Sequence, residues 1–165
     1  MNGTEVLIAL GSNLGDRAGF LLGGLARLSA LDGFELAGLS QVYETEPVGP
    51  VGQGPYLNAV LRGRSELTPR ELLREMLRIE ASLGRLRQQR WGPRTLDLDL
   101  LDYGGLVLEE PGLRLPHPRL HQRPFVLVPL GDVAPDWRHP TLKKTAVELL
   151  GSLDSTGVKP WQAAY

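Results

Sequence analysis

The sequence predicts an α+β fold, with helices packed on a mainly antiparallel sheet. Three observations support this class. Short apolar or alternating runs of strand length are interleaved with amphipathic helical patterns. A Gly104-Gly105 pair that follows an alternating run suits a tight antiparallel turn. No series of strand-turn-helix units, which a long parallel sheet would need, is present. The 165 residues fit one domain, 1–165, with 152–165 as a C-terminal tail. A hydrophobic fraction of 42% with 22% charged residues is ordinary globular usage and argues against disorder.

Each element has its own signal. Glu5-Val-Leu-Ile-Ala-Leu10 is a short apolar run stopped by Gly11, as in a buried strand. Gly11-Ser-Asn-Leu-Gly-Asp-Arg17 is turn chemistry, and a helix is expected from about 16 to 31, with Leu21, Leu25 and Leu28 on one face. Gly23-Gly24 inside that helix costs ~1 kcal/mol per glycine relative to alanine. A strand is expected over Phe34–Tyr43, and residues 47–55, with three prolines and three glycines, read as a loop. Tyr56–Arg64 alternates, which makes Leu57, Ala59 and Leu61 its core face. Thr68-Pro69-Arg70-Glu71 reads as a capping box opening a helix whose stripe is Leu72, Leu73, Met76, Ile79 and Leu83, stopped at Gly84. Leu96–Tyr103 begins in strict alternation and is expected to turn at Gly104-Gly105 into a strand at Leu106–Leu108. A proline-punctuated stretch follows to 129, then a last helix over about 141–150. The tail has little pattern beyond Trp161, which can pack it down.

Composition excludes several classes of function. With 18 basic and 19 acidic residues the formal charge is −1, unlike a protein that coats nucleic acid or an anionic membrane. The absence of cysteine rules out disulfide scaffolds, thiolate catalysis and cysteine-ligated metals. No leader pattern opens the chain and no stretch approaches the ~20 apolar residues of a bilayer span, so a cytoplasmic location is expected.

The local charge pattern is sharper. Residues 85–94 hold Arg85, Arg87, Arg90 and Arg94 and no acid, and they run directly into a strand bearing Asp97 and Asp99. Two residues apart on a strand, both carboxylates leave the same face. Side by side they repel unless a cation sits between them, and magnesium commonly takes one or two carboxylates plus substrate phosphates. The plain alternative is the polar face of an ordinary strand, and Asp-x-Asp also marks sugar-nucleotide transferases. The guanidinium groups favour the phosphate reading, because their forks match phosphate oxygens. Tyr56, Trp91 and Phe125 offer flat surfaces beside polar residues, and Asn58 shares a strand face with Tyr56, so ring and amide can serve one pocket. His117 and Arg123 could add phosphate donors. Gly11-Ser-Asn-Leu-Gly15 lacks the Gly-Lys-Ser/Thr of a Walker loop. An RNA-binding module and a metal-dependent phosphoesterase remain as rivals at this point.

Gly11-Ser-Asn-Leu-Gly-Asp-Arg17, Tyr43-Glu-Thr-Glu-Pro-Val-Gly49, Tyr56-Leu-Asn-Ala59, Arg90-Trp-Gly-Pro-Arg-Thr-Leu-Asp-Leu-Asp-Leu100 and Leu115-Pro-His-Pro-Arg119 stand in order along the chain. Together they resemble the 6-hydroxymethyl-7,8-dihydropterin pyrophosphokinase family of folate biosynthesis, over roughly residues 4 to 150. The resemblance implies a ferredoxin-like α/β/α sandwich. It also implies Mg²⁺-dependent transfer of pyrophosphate from ATP to the pterin hydroxymethyl group, releasing AMP, by a cytoplasmic monomer with no nucleic-acid or membrane partner. It places two Mg²⁺ ions on Asp97 and Asp99, and catalytic guanidinium groups at Arg85 and Arg94. Arg87, His117 and Arg123 match contacts to the nucleotide. Thr45, Pro47, Val48, Tyr56, Asn58, Trp91 and Phe125 match the pterin pocket, and Glu80 matches a residue bordering both sites. Pro118 stands where some members carry tyrosine, and Glu46 where some carry an apolar residue. The arginine segment is one residue shorter than in some relatives. The segments 47–55 and 85–94 are expected to act as lids.

Overall fold

The protein's computed structural model describes residues 2–46, 54–84 and 95–162. The elements run β1 (Thr4–Ser12), α1 (Arg17–Ser29), β2 (Phe34–Leu39), β3 (Tyr43–Thr45), β4 (Tyr56–Ser65), α2 (Pro69–Ser82) and β5 (Asp97–Tyr103). There follow β6 (Leu108–Glu110), β7 (Leu113–Leu115), α3 (Pro124–Val133), α4 (Ala146–Leu150) and β8 (Lys159–Pro160). The sheet order is β5-β1-β4-β3-β8, with β2 sharing the far edge of β4, and every pairing is antiparallel. This is the expected ferredoxin-like plan.

The sheet is buried on both faces, and that arrangement creates the site. Alternate residues of β1 go to opposite cores: Val6, Ile8 and Leu10 join Leu28 of α1 and Met76 of α2, while Leu7 joins Leu127 of α3 and Leu149 of α4. The core of β4 is therefore not confined to the one face expected from its alternation. Leu57 and Leu61 lie in the first core as expected, but Val60 is fully buried in the second. Its cover is α3, which the sequence did not announce. Pro124 sits in the first turn of α3, where no N–H is needed, and Pro129 lies inside the helix. The residues between them are apolar all round, so the segment shows no amphipathic period.

Other departures have local causes. The strand expected over 34–43 is broken into β2 and β3 because the Ser40 hydroxyl accepts the Val60 N–H at 2.9 Å, taking over a backbone rung. In α2, Thr68 accepts from the Glu71 N–H at 3.2 Å, but only this half of the capping box forms; a complete box appears at Thr145 and Glu148 of α4. Gly104 and Gly105 do turn, with φ of 59° and 75°, yet Leu106 and Val107 are exposed and unpaired with β5. The antiparallel hairpin is β6–β7 instead. The last helix is shorter than expected, and the tail contributes β8, which pairs with β3 while Trp161 packs against the first core.

The Gly23-Gly24 pair has a packing reason at its second member. A Cβ on Gly24 would stand 2.8 Å from Leu96 Cδ2. Leu96 is fully buried, so the bare helix backbone of α1 settles on the residue that leads into Asp97.

Candidate active site

On the α3 side of the sheet lies a cavity of about 600 Å³. Its floor is made by small residues of the central strand, Ala9 and Gly11. Gly11 pairs with Asn58 on one side and Asp97 on the other, and Ala9 pairs with Val60 and Asp99. The two flanking strands thus present an amide and a carboxylate pair across a trough roughly two strand spacings wide, about 10 Å. A Cβ on Gly11 would come within 3.2 Å of the Asn58 Oδ1, so a side chain there would crowd the amide.

One wall is flat and polar at its base. Thr45 of β3 pairs with Tyr56 of β4, and the Thr45 hydroxyl accepts a 2.7 Å hydrogen bond from the Asn58 Nδ2. Thr45 and Asn58 are both buried, so this bond fixes the orientation of the amide. Phe125, at the start of α3, also lines the cavity. The helix is tied to β3 by the Tyr43 hydroxyl, which donates to Asp132 at 2.5 Å. Burial and the Asp132 carboxylate push the Tyr43 pKa up to about 12, so the donor stays protonated.

The opposite wall carries the charge. Asp97 and Asp99 face the cavity while Leu98 and Leu100 enter the first core. Further along β5 a bulge between Leu100 and Asp102 turns Leu101 into the second core, which ends the alternation seen in the sequence. Arg123 spans the walls: Nη1 lies 3.8 Å from Asp99 Oδ2, and its guanidinium carbon stands 5.7 Å from the centre of the Phe125 ring. His117 is held by its backbone N–H, which donates to the Leu101 carbonyl, and its ring Nδ1 accepts from the Arg119 backbone N–H at 3.2 Å. The proton is therefore on Nε2. Burial, with the Arg123 and Arg119 charges, pulls the His117 pKa down to about 4 against the opposing pull of Asp97. At neutral pH this side chain is an uncharged donor.

Asp97, Asp99, His117, Arg123, Thr45, Tyr56, Asn58 and Phe125 thus line one cavity. Glu80 does not line it. It is 2% exposed on α2, behind β5, and its Oε2 accepts the Leu98 N–H at 2.7 Å. It braces the backbone between the two carboxylates. Arg85, Arg87, Arg94, Trp91, Pro47 and Val48, and with them most of both expected lids, lie outside the described residues. Gly11, Arg119 and Gln122 line the cavity without having been singled out. Gly11 and Arg119 stand in quoted motifs, and their presence there was the available signal; Gln122 had none.

Two carboxylates on one strand face, opening on a cavity, are a donor set that suits a hard divalent cation completed by phosphate oxygens and water. Among the described residues no group of three or more His, Cys, Asp or Glu could hold a metal by protein ligands alone. Among them, too, no helix is long and apolar enough to cross a membrane.

Comparison with known proteins adds the lineage. The family pattern of 7,8-dihydro-6-hydroxymethylpterin-pyrophosphokinase matches residues 7–135. A protein of Synechocystis named 2-amino-4-hydroxy-6-hydroxymethyldihydropteridine pyrophosphokinase is 44% identical over 93% of this chain and 78% of its own. One of the same name from Methylorubrum extorquens is 42% identical over 94% of this chain and 98% of its own. In three dimensions, the HPPK-DHPS of Plasmodium falciparum superposes with a TM-score of 0.71 at 15% identity, over 91% of this chain; the chain spans 44% of that longer protein. At that identity the superposition speaks for the fold. The match of family pattern and relatives over most of its length makes the chain a member of the 7,8-dihydro-6-hydroxymethylpterin-pyrophosphokinase family.

Proposed function

We infer that the protein transfers the pyrophosphoryl group of ATP to the hydroxymethyl oxygen of 6-hydroxymethyl-7,8-dihydropterin, with release of AMP, in folate biosynthesis. The observation that carries this reading is the trough floored by Ala9 and Gly11, with an oriented amide and aromatic rings on one side and a carboxylate pair on the other. A flat heterocycle fits the first wall and a metal-bound polyphosphate the second.

Tyr56 and Phe125 hold the pterin ring, and the Asn58 amide, fixed by Thr45, reads its hydrogen-bonding edge. Asp97 and Asp99 would hold two Mg²⁺ ions, which would offset the polyphosphate charge and acidify the acceptor hydroxyl. Arg123, already directed towards Asp99, reaches phosphate oxygens from the side of Phe125. His117 donates through Nε2 and, with its low pKa, is a poor proton acceptor. Arg85 and Arg94 are assigned to the charge that develops on the phosphates, and Arg87 to the nucleotide. Trp91, Pro47 and Val48 complete the pterin side. The bond that forms joins the hydroxyl oxygen to the β-phosphorus. The bond that breaks joins that phosphorus to the α,β-bridging oxygen; AMP leaves with the electron pair, and the proton of the acceptor hydroxyl is released to solvent.

The direct test supplies ATP, Mg²⁺ and 6-hydroxymethyl-7,8-dihydropterin and follows products by chromatography. AMP and diphosphorylated pterin are expected in equal amounts. Release of ADP or free phosphate, or AMP formed without any pterin acceptor, would replace this reading with a phosphoesterase.

A further inference from the structure

The turn Gly11-Ser-Asn-Leu-Gly-Asp-Arg17 lies beside the cavity, yet the chemistry above uses little of it. Asp16 opens α1 by accepting the Gly19 N–H at 3.1 Å, which places Arg17 at the first helical position. A cation is unfavourable there, because the helix N-terminus is itself positive, and the adjacent Asp16 carboxylate is engaged as the N-cap. Helix stability does not account for this arginine. Its contacts lie elsewhere. Nη1 donates at 2.7 Å to the Glu44 carboxylate of β3 and at 2.9 Å to the Pro55 carbonyl just before β4. Asn13, four residues earlier and buried, donates from Nδ2 to the Gly54 carbonyl at 3.4 Å.

These targets are specific in position. Glu44 immediately precedes Thr45, Pro55 immediately precedes Tyr56, and Thr45 and Tyr56 are directly paired across the strands. One guanidinium nitrogen therefore fastens both strands one residue before the pair that lines the cavity, while Arg17 itself is not in its wall. Glu44 is partly exposed, and such a pair alone contributes little. Sharing the donor with a main-chain carbonyl turns it into a brace between two strand ends.

We propose that Arg17 is a positioning residue that sets affinity for the pterin ring by holding Thr45 and Tyr56 in register. The proposal rests on the reading of this wall as the pterin side. It predicts a selective defect. In Arg17→Ala the Kd for the pterin, measured by its fluorescence, rises about tenfold, as expected for the loss of a charge-assisted hydrogen bond. The Kd for MgATP and kcat at saturating pterin stay close to wild type, and Arg17→Lys recovers part of the loss. Amide hydrogen exchange at residues 44–45 and 56–58 quickens in Arg17→Ala, while exchange in β1 and β5 does not. If Arg17→Ala fails to fold, Glu44→Gln removes the charge but not the shape and is expected to show the same pattern at smaller size. Unchanged pterin affinity, equal losses for pterin and ATP, or unchanged exchange at the braced residues would overturn the proposal. Failure of the wild type to bind pterin would instead overturn the functional reading, and the exchange measurement would still decide the brace.

Discussion

Asp97→Ala is expected to lose on the order of 10³-fold in magnesium-dependent kcat while its melting temperature stays close to that of the wild type. The activity term follows from the site. Asp97 faces the cavity beside Asp99, and a carboxylate that holds a catalytic cation contributes several kcal/mol to the transition state, where each ~1.4 kcal/mol is tenfold in rate. The stability term follows from packing. Asp97 is partly exposed, and the strand around it is fixed by Leu96 and Leu98 in the first core and by the Glu80 bond to the Leu98 N–H. AMP release at saturating Mg²⁺, measured beside a thermal melt, checks both terms. Turnover within threefold of wild type would remove Asp97 from the reaction.

Leu127→Ala gives the largest expected effect on stability. Leu127 is fully buried on α3, in the second core with Val60 and Leu130. Truncating a leucine in such a place costs about 3 kcal/mol, as lost transfer energy plus an unfilled cavity. For a chain of this size that lowers Tm by roughly 6–12 °C. Because α3 begins next to Arg123 and Phe125, pterin binding should weaken along with stability. Calorimetry of the variant is the check. A loss below about 1 kcal/mol would mean that the second helical layer does little to hold the site.

What the sequence disclosed depended on whether a residue's role was local. The stripe of α2, the apolar run of β1 and the carboxylates at 97 and 99 are set by short-range periodicity, and the fold places each where that period implies. Thr45, Tyr56, Asn58, His117, Arg123 and Phe125, drawn from four separate stretches, do meet in one cavity. The motifs at 43–49, 56–59 and 115–119 contain Thr45, Tyr56, Asn58 and His117, whereas Arg123 and Phe125 lie outside them and stood out by residue type and by the resemblance; no spacing rule connects β3 to the start of α3. The second layer was hidden because α3 is apolar on every side from Pro124 to Leu130 and contains two prolines. Val60 was hidden with it, because a strand covered on both faces loses its alternation. The break at Ser40 depends on a side chain borrowing a backbone partner twenty residues away. The docking of β8 on β3 depends on an edge that exists only once the sheet has formed. Glu80 shows the converse. The resemblance set it at the border of two sites, whereas packing buries it behind β5, where it supports the carboxylates through the main chain.

The central claim is that a pterin and the metal-bound tail of ATP occupy the two walls of one trough on the α3 side of the sheet. The measurement closest to it is a crystal structure of the protein with Mg²⁺, α,β-methylene-ATP and 6-hydroxymethyl-7,8-dihydropterin. The account predicts the ring between Tyr56 and Phe125, its edge on Asn58, metal on Asp97 and Asp99, and the hydroxymethyl oxygen in line with the β-phosphorus. Nucleotide bound on the α1–α2 face, or metal held away from both carboxylates, would contradict it.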